Sequence, residues 1–164
     1  MAEAPWLVVA RALIGTRETP GPANNPRIMD WAAKLGGKKL GVAYAGDSVP
    51  WCGLFAAHCV NAVGLALPAI PVRAKAWETW GIGVTPCVGA ILVFTREGGG
   101  HVGFYVGETD THFLVLGGNQ GDAVSIVKIA KDRMSACRWP GEVPITGKPN
   151  KVMASAAGVS KNEA

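Results

Sequence analysis

Near the middle of its 164 residues the chain changes hydrophobic period, and that change decides the class of fold open to it. Trp6, Val9, Ala10 and Leu13 recur at helical spacing ahead of Gly15. Asn25 is placed to cap a helix that starts at Pro26, shows Ile28, Trp31, Ala32 and Leu35 on one face and closes at Gly36. After a Gly-rich link, Asp47-Ser48 and Pro50 precede a third apolar helix over Trp51 to Leu65, and residues 72–80 read as a short fourth helix or turn. From there on, the segments 89–94, 101–107, 112–117 and 123–129 are short, rich in Val, Ile, Leu and Phe, and separated by Gly, Asp and Thr. They predict an antiparallel meander, with a fifth strand around 136–139. Helices first and strands second is the signature of an α+β domain, with helices packed on an antiparallel sheet of about five strands.

Composition agrees with one folded unit. Apolar residues make up 49% of the chain and charged residues 17%, against roughly 25% charge in an average soluble protein. A chain of this length supports one core, expected over residues 1–140, with 141–164 as a mobile or marginally helical tail rich in Pro, Lys, Ala and Ser. Apolar runs such as Val88 to Phe94 fall far short of the roughly 20 residues that span a bilayer. Met1-Ala-Glu-Ala-Pro5 lacks a basic segment followed by an apolar one, so no secretory signal is expected. The net charge of +4 is a mild bias toward anionic partners such as a bacterial envelope. No basic run exceeds Lys38-Lys39 and none is interleaved with aromatics, so nucleic acid is not an expected partner.

Cys52 falls in the first turn of the third helix, where unpaired backbone N–H groups and the positive end of the helix dipole favour a thiolate and can hold an oxyanion. Cys59 lies seven residues on, about 10 Å along the axis, too far for a disulfide, and the four cysteines are read as mainly free thiols. A nucleophilic cysteine needs a base, and the chain offers His58, His101 and His112. His58 is rotated by some 120° from Cys52 around the helix and reads as a flanking residue. His112 reads as a surface strand residue. His101 opens a strand just after Gly98-Gly-Gly100, where the turn is expected to leave its ring accessible. A hairpin turn at 108–111 sets His101 opposite Gly118 or Asn119, so Asn119 is expected to aim the imidazole, with Gln120 and Asp122 as the substitutes if the register slips. Zinc is not expected: no C-x-x-C is present, and His58-Cys59 diverge on the helix. No cofactor is implied.

The blocks Pro50-Trp51-Cys52-Gly53-Leu54-Phe55, Val88 to Phe94, Gly100-His101-Val-Gly-Phe104 and Leu116-Gly-Gly-Asn119-Gln120 resemble those of CHAP-type cysteine amidases and peptidases, within the papain-like group that includes NlpC-type enzymes. A small branch common in phages and prophages is similar also in Pro22-x-x-Asn25-Pro26-x-Ile28 and Arg138-Trp139-Pro140. The resemblance covers roughly residues 5–140 and implies peptidoglycan hydrolysis, with Cys52 as nucleophile, His101 as base and Asn119 as the orienting residue. One departure is Ala90, where the family's block reads Gly-Asp; it bears on a turn rather than on the three catalytic roles. The backbone N–H of Cys52 is the expected oxyanion donor, with Tyr44 as a candidate helper. Trp51, Trp77 and Trp80 stand between two readings, wall of a substrate groove or core.

The implied reaction is acyl transfer at an amide bond of peptidoglycan, either the N-acetylmuramoyl-L-alanine linkage or a bond of the stem peptide or cross-bridge. Two rivals keep parts of the pattern: a catalytically silent wall-binding or phage structural module, and a glutamine deamidase or transglutaminase acting on protein. The expected setting is a phage endolysin or lysis-type monomer, made in the cytoplasm and acting on the wall. It would get there through a holin-type membrane pore or a secretion machine, and whether an immunity protein accompanies it is left open.

Overall fold

The computed structural model describes residues 3–17, 25–40 and 51–153, the side chains of residues 37–40 excepted. The three expected helices are α1 (Pro5–Ala12), α2 (Pro26–Leu40) and α3 (Cys52–Ala62). At the start of α2 the Asn25 side chain accepts a hydrogen bond from the backbone N–H of Arg27 at 2.8 Å, the capping role its type suggests. Gly36 breaks this helix with φ 74° and ψ 156°, where Leu35 is the last of its apolar face. α3 stops three residues before the expected Leu65. Gly64, at φ 81°, donates to the carbonyl of Asn61 while Leu65 donates to that of Val60, the pair of bonds of a Schellman cap. Residues 74–79 form a single 3₁₀ helix.

Six strands make one sheet: β1 (Ile82–Gly83), β2 (Ile91–Arg96), β3 (Gly99–Glu108), β4 (His112–Gly117), β5 (Ser125–Ala130) and β6 (Met134–Trp139), in the order β1-β6-β2-β3-β4-β5. The meander covers β2 to β5. β6 does not extend it: after a 3₁₀ turn at Lys131–Arg133 the chain returns to the edge of β2 instead of pairing outside β5. The two-residue β1, too short to leave a periodic signal, pairs with β6.

The core lies between helices and sheet. Trp6 of α1 donates its indole N–H to the carbonyl of Gly89 at 2.7 Å and meets Trp139 of β6 edge to face at 5.0 Å, so both ends of the domain close on the β2 entry. Phe55 of α3 packs edge-on against Phe104 of β3, with ring centroids 6.1 Å apart. Ala90 is fully buried there, at the start of β2. Beyond Pro140 the chain runs without a helix through Met153, and it is tied to the sheet: Val88 donates to Lys148, Glu108 to Asn150 and Val152 to Glu108 through the backbone. Among the described residues no helix is long and apolar enough to cross a membrane.

One close approach places the site. A Cβ on Gly53 would sit 2.4 Å from the carbonyl oxygen of Val72 and 2.5 Å from that of Pro71, both main chain. The indole of Trp77 holds the Pro71 carbonyl at 2.9 Å, so residues 71–72 cannot retreat. Alanine normally stabilises a helix interior over glycine by up to ~1 kcal/mol. Here Gly53→Ala is expected to do the opposite, costing ~1–3 kcal/mol in urea unfolding through forced backbone displacement.

Candidate active site

Cys52 is the first residue of α3, and its thiol is held between the helix start and strand β3. Burial pushes the thiol pKa up. The hydrogen bond and charge of His101, together with backbone N–H groups of Val102 and Gly53 directed at the sulfur, outweigh that and hold it below the ordinary thiol value. The other three cysteines are also free, but burial raises each of them: Cys59 well above the ordinary value, Cys87 less so, and Cys137 to about 12, with Cys87 adding to the rise. Cys52 is the one cysteine of the chain made more acidic.

The imidazole of His101, expected to be accessible, is fully buried. Phe94, its partner across the β2–β3 pair, stacks on it with ring centroids 6.4 Å apart. Nε2 lies 2.8 Å from Oε1 of Gln120. The Gln120 amide nitrogen donates to the carbonyls of Val115 at 3.0 Å and Ser125 at 2.7 Å, which identifies the oxygen as the atom facing the ring. Nε2 therefore carries the proton it donates, and Nδ1 is left with the lone pair.

The orienting contact expected of Asn119 is thus made by Gln120. The register supports the hairpin arithmetic as far as Phe104 opposite Leu116, but β4 ends at Gly117. Asn119 then takes a left-handed backbone, φ 59°, which swings the chain off the strand direction and delivers the next residue to the imidazole. Gly118 permits the turn to lie this close to α3, since a Cβ there would be 2.7 Å from Phe55 and 2.8 Å from the Trp51 ring. Asn119 itself is buried, and its Oδ1 finds no partner among the described residues. Asp122 is exposed and also left-handed, φ 57°.

The remaining candidates sit elsewhere. Trp51 is fully buried and packs on Trp31 at 6.1 Å, so its ring is core and forms no groove wall. Trp77 and Trp80 are buried as well, their indoles bonded to the carbonyls of Pro71 and Ala66. Tyr44 lies outside the described residues. His58 is half-buried and stacked on Trp31 at 5.1 Å, and Cys59 is core. His112 bonds Thr111 at the far end of its hairpin. Among the described residues no three His, Cys, Asp or Glu side chains converge as a metal site would require.

A pocket of about 290 Å³ opens at Cys52, walled by Val72 to Lys75 on one side and by Arg96, Gly99 and Gly100 on the other. Those basic residues escaped the reading of the sequence, because Arg73 and Lys75 fall in a segment with no periodic signal. A larger cavity of about 590 Å³, between Glu3-Ala4 and residues 146–150, holds none of the candidate residues.

The family model of the CHAP domain matches residues 44–119, a span that runs from the link before Cys52 through His101 to Asn119. Over that span the chain is similar to a CHAP domain. CHAP domains are cysteine- and histidine-dependent amidohydrolases and peptidases, and the match supports a cysteine peptidase of the general peptidoglycan-hydrolase type. In structure the chain is similar to the P60 domain of an antigen from M. avium paratuberculosis, with a TM-score of 0.50 and 14% identity over 82% of this chain and 89% of that one. That likeness establishes a papain-like α+β fold. No curated protein matches the chain.

The pH dependence of thiol alkylation reads this site directly. Iodoacetamide is expected to label Cys52 ahead of the other cysteines, with a midpoint below that of a free thiol. In His101→Ala only burial and the two N–H groups act on the sulfur, so the midpoint should move up. Mass spectrometry of the Cys52 peptide across pH 5–10 checks both outcomes.

Proposed function

We propose that the chain hydrolyses an amide bond of peptidoglycan, either the N-acetylmuramoyl-L-alanine linkage or a bond of the stem peptide or cross-bridge, by thiol acyl transfer. The observation behind this reading is the arrangement in which Gln120 fixes the His101 tautomer and His101 acts on the buried Cys52 thiol to lower its pKa. The thiol proton passes to Nδ1 of His101, and the sulfur attacks the carbonyl carbon. The C–N bond breaks as the imidazolium gives its proton to the leaving amine, and a thioester remains on Cys52. Water then attacks the thioester, His101 takes its proton, and the acid departs as the C–S bond breaks. The negative oxygen of each tetrahedral intermediate faces the first turn of α3, where the N–H of Cys52 has no partner within the helix.

Asn119 belongs to this centre as the residue whose left-handed turn delivers Gln120. The setting we propose is a phage endolysin or similar lysis enzyme, synthesised in the cytoplasm, monomeric, and admitted to the wall through a membrane pore or a secretion machine. The blocks similar to the phage and prophage branch support it.

Purified sacculi provide the test. Wild type should clear them, and Cys52→Ala should lose at least ~10³-fold of the rate. New amine termini in the released fragments name the bond. If the folded protein clears nothing and matches Cys52→Ala, the hydrolase reading falls, and sacculus binding without release would point to a silent wall-binding module. Gln120→Ala should lower kcat by roughly 10²-fold while raising the alkylation midpoint of Cys52, because the ring loses its fixed tautomer.

A further inference from the structure

The pocket at Cys52 is unusually rich in one sign of charge. Among its walls stand Arg73, Lys75 and Arg96, and no carboxylate lines it among the described residues. The three cations are not equivalent. Lys75 is occupied: its ammonium lies 2.9 Å from Thr95 Oγ1 and 3.5 Å from Glu78, while its carbons lie across Gly100, 3.0 Å from where a Cβ would be. Arg96 is aimed rather than neutralised. Its Nε donates to the carbonyl of Gly100 at 3.1 Å and its Nη1 to that of Glu97 at 3.3 Å, which fixes the guanidinium plane on the β2–β3 turn and spends no carboxylate on it. Arg73 is exposed, and its side chain makes no hydrogen bond or ion pair among the described residues. Two guanidinium groups facing one small pocket beside a nucleophile, with no acid among the described residues of its walls, form a receptor for an anion on the substrate. Guanidinium suits a planar carboxylate, which it grips with two parallel N–H bonds.

We infer that Arg73 and Arg96 bind a free carboxylate of the stem peptide next to the scissile amide, making this pocket a subsite that selects carboxylate over carboxamide. This rests on the hydrolase reading of the Cys52 site and names the part of the substrate that the site recognises. A stem peptide offers such a group in two places, the α-carboxyl of a γ-linked glutamyl residue and the carboxyl terminus, and both become neutral on amidation. The volume of about 290 Å³ has room for one amino-acid residue rather than for a disaccharide.

Two measurements test this, one of them independent of any wall substrate. Alkylation of Cys52 by anionic iodoacetate is compared with alkylation by neutral iodoacetamide, by mass spectrometry at low salt. The iodoacetate to iodoacetamide rate ratio should fall ~5-fold in Arg73→Gln/Arg96→Gln. Arg73→Gln alone should lower it in the same direction, which covers the case in which losing the Arg96 bonds disturbs the hairpin. In the second, muropeptide pairs amidated or free at the glutamyl carboxyl, and separately at the terminus, are compared by kcat/KM. Wild type should prefer one free carboxylate by ~10-fold or more, mostly in KM, and the variants should lose that preference. An alkylation ratio and a substrate preference unmoved by the substitutions overturn the subsite, even if muropeptides are cleaved. Cleavage of no muropeptide, with the alkylation ratio still falling in the variants, overturns the hydrolase reading and leaves the anion pocket standing.

Discussion

One amide side chain ties the sheet to the chemistry. Gln120 accepts from His101 and donates to the carbonyls of Val115 and Ser125, one on β4 and one at the start of β5. A buried amide left without partners costs several kcal/mol, so the orientation that meets all three bonds is far preferred over its flip. The flip would turn an N–H toward Nε2 and set the amide oxygen against two carbonyl oxygens. The sheet thus fixes which imidazole nitrogen keeps the proton and which keeps the lone pair. Ser125 adds a return bond, its hydroxyl donating to the carbonyl of Gln120 at 2.9 Å, which closes the turn that Asn119 begins.

A thiolate needs this much support because the site is dry. Cys52 and His101 are both buried, and burial alone opposes charge on the sulfur. The sequence answers with backbone rather than with further charged side chains: N–H groups of Gly53 and Val102 reach the sulfur from the helix start and from β3. Such donors are fixed by secondary structure and need no reorganisation when charge appears or leaves. Their placement depends on the tight seat of α3 against Pro71-Val72, which only a glycine at position 53 allows.

Much of this arrangement was legible in the residues. Asn25 before Pro26 marks a cap, Gly36 marks a stop, and the Val, Ile, Leu and Phe runs mark β2 to β5, because caps, positive-φ glycines and period-two patterns are local properties. Cys52 and His101 were legible as candidates by position, since a helix start and a strand start are identifiable from local signals. The exchange of Asn119 for Gln120 was not. Strand register predicts partners only while the strand continues, and one left-handed residue past Gly117 moves the side chains out of the alternation. The buried state of His101 and of the three tryptophans was equally hidden, because a ring at a strand or helix end is covered or left open by elements distant in sequence. The return of β6 to β2 is of the same kind, a choice between two sheet edges that no local pattern encodes.

Charge shows the same division between what is spread along a chain and what a fold gathers. A net charge of +4 over the whole molecule exerts little at the site, since exposed charges are screened within about 8–10 Å at physiological salt. Arg73 and Arg96 lie 23 residues apart in sequence, one beside a 3₁₀ helix and the other at the end of β2, and neither belongs to a basic run. The 3₁₀ helix packs on β2 and β3, which brings both onto one pocket. There the nearby walls thin the water that would screen them, so two ordinary surface charges gain the selectivity that the overall charge lacks.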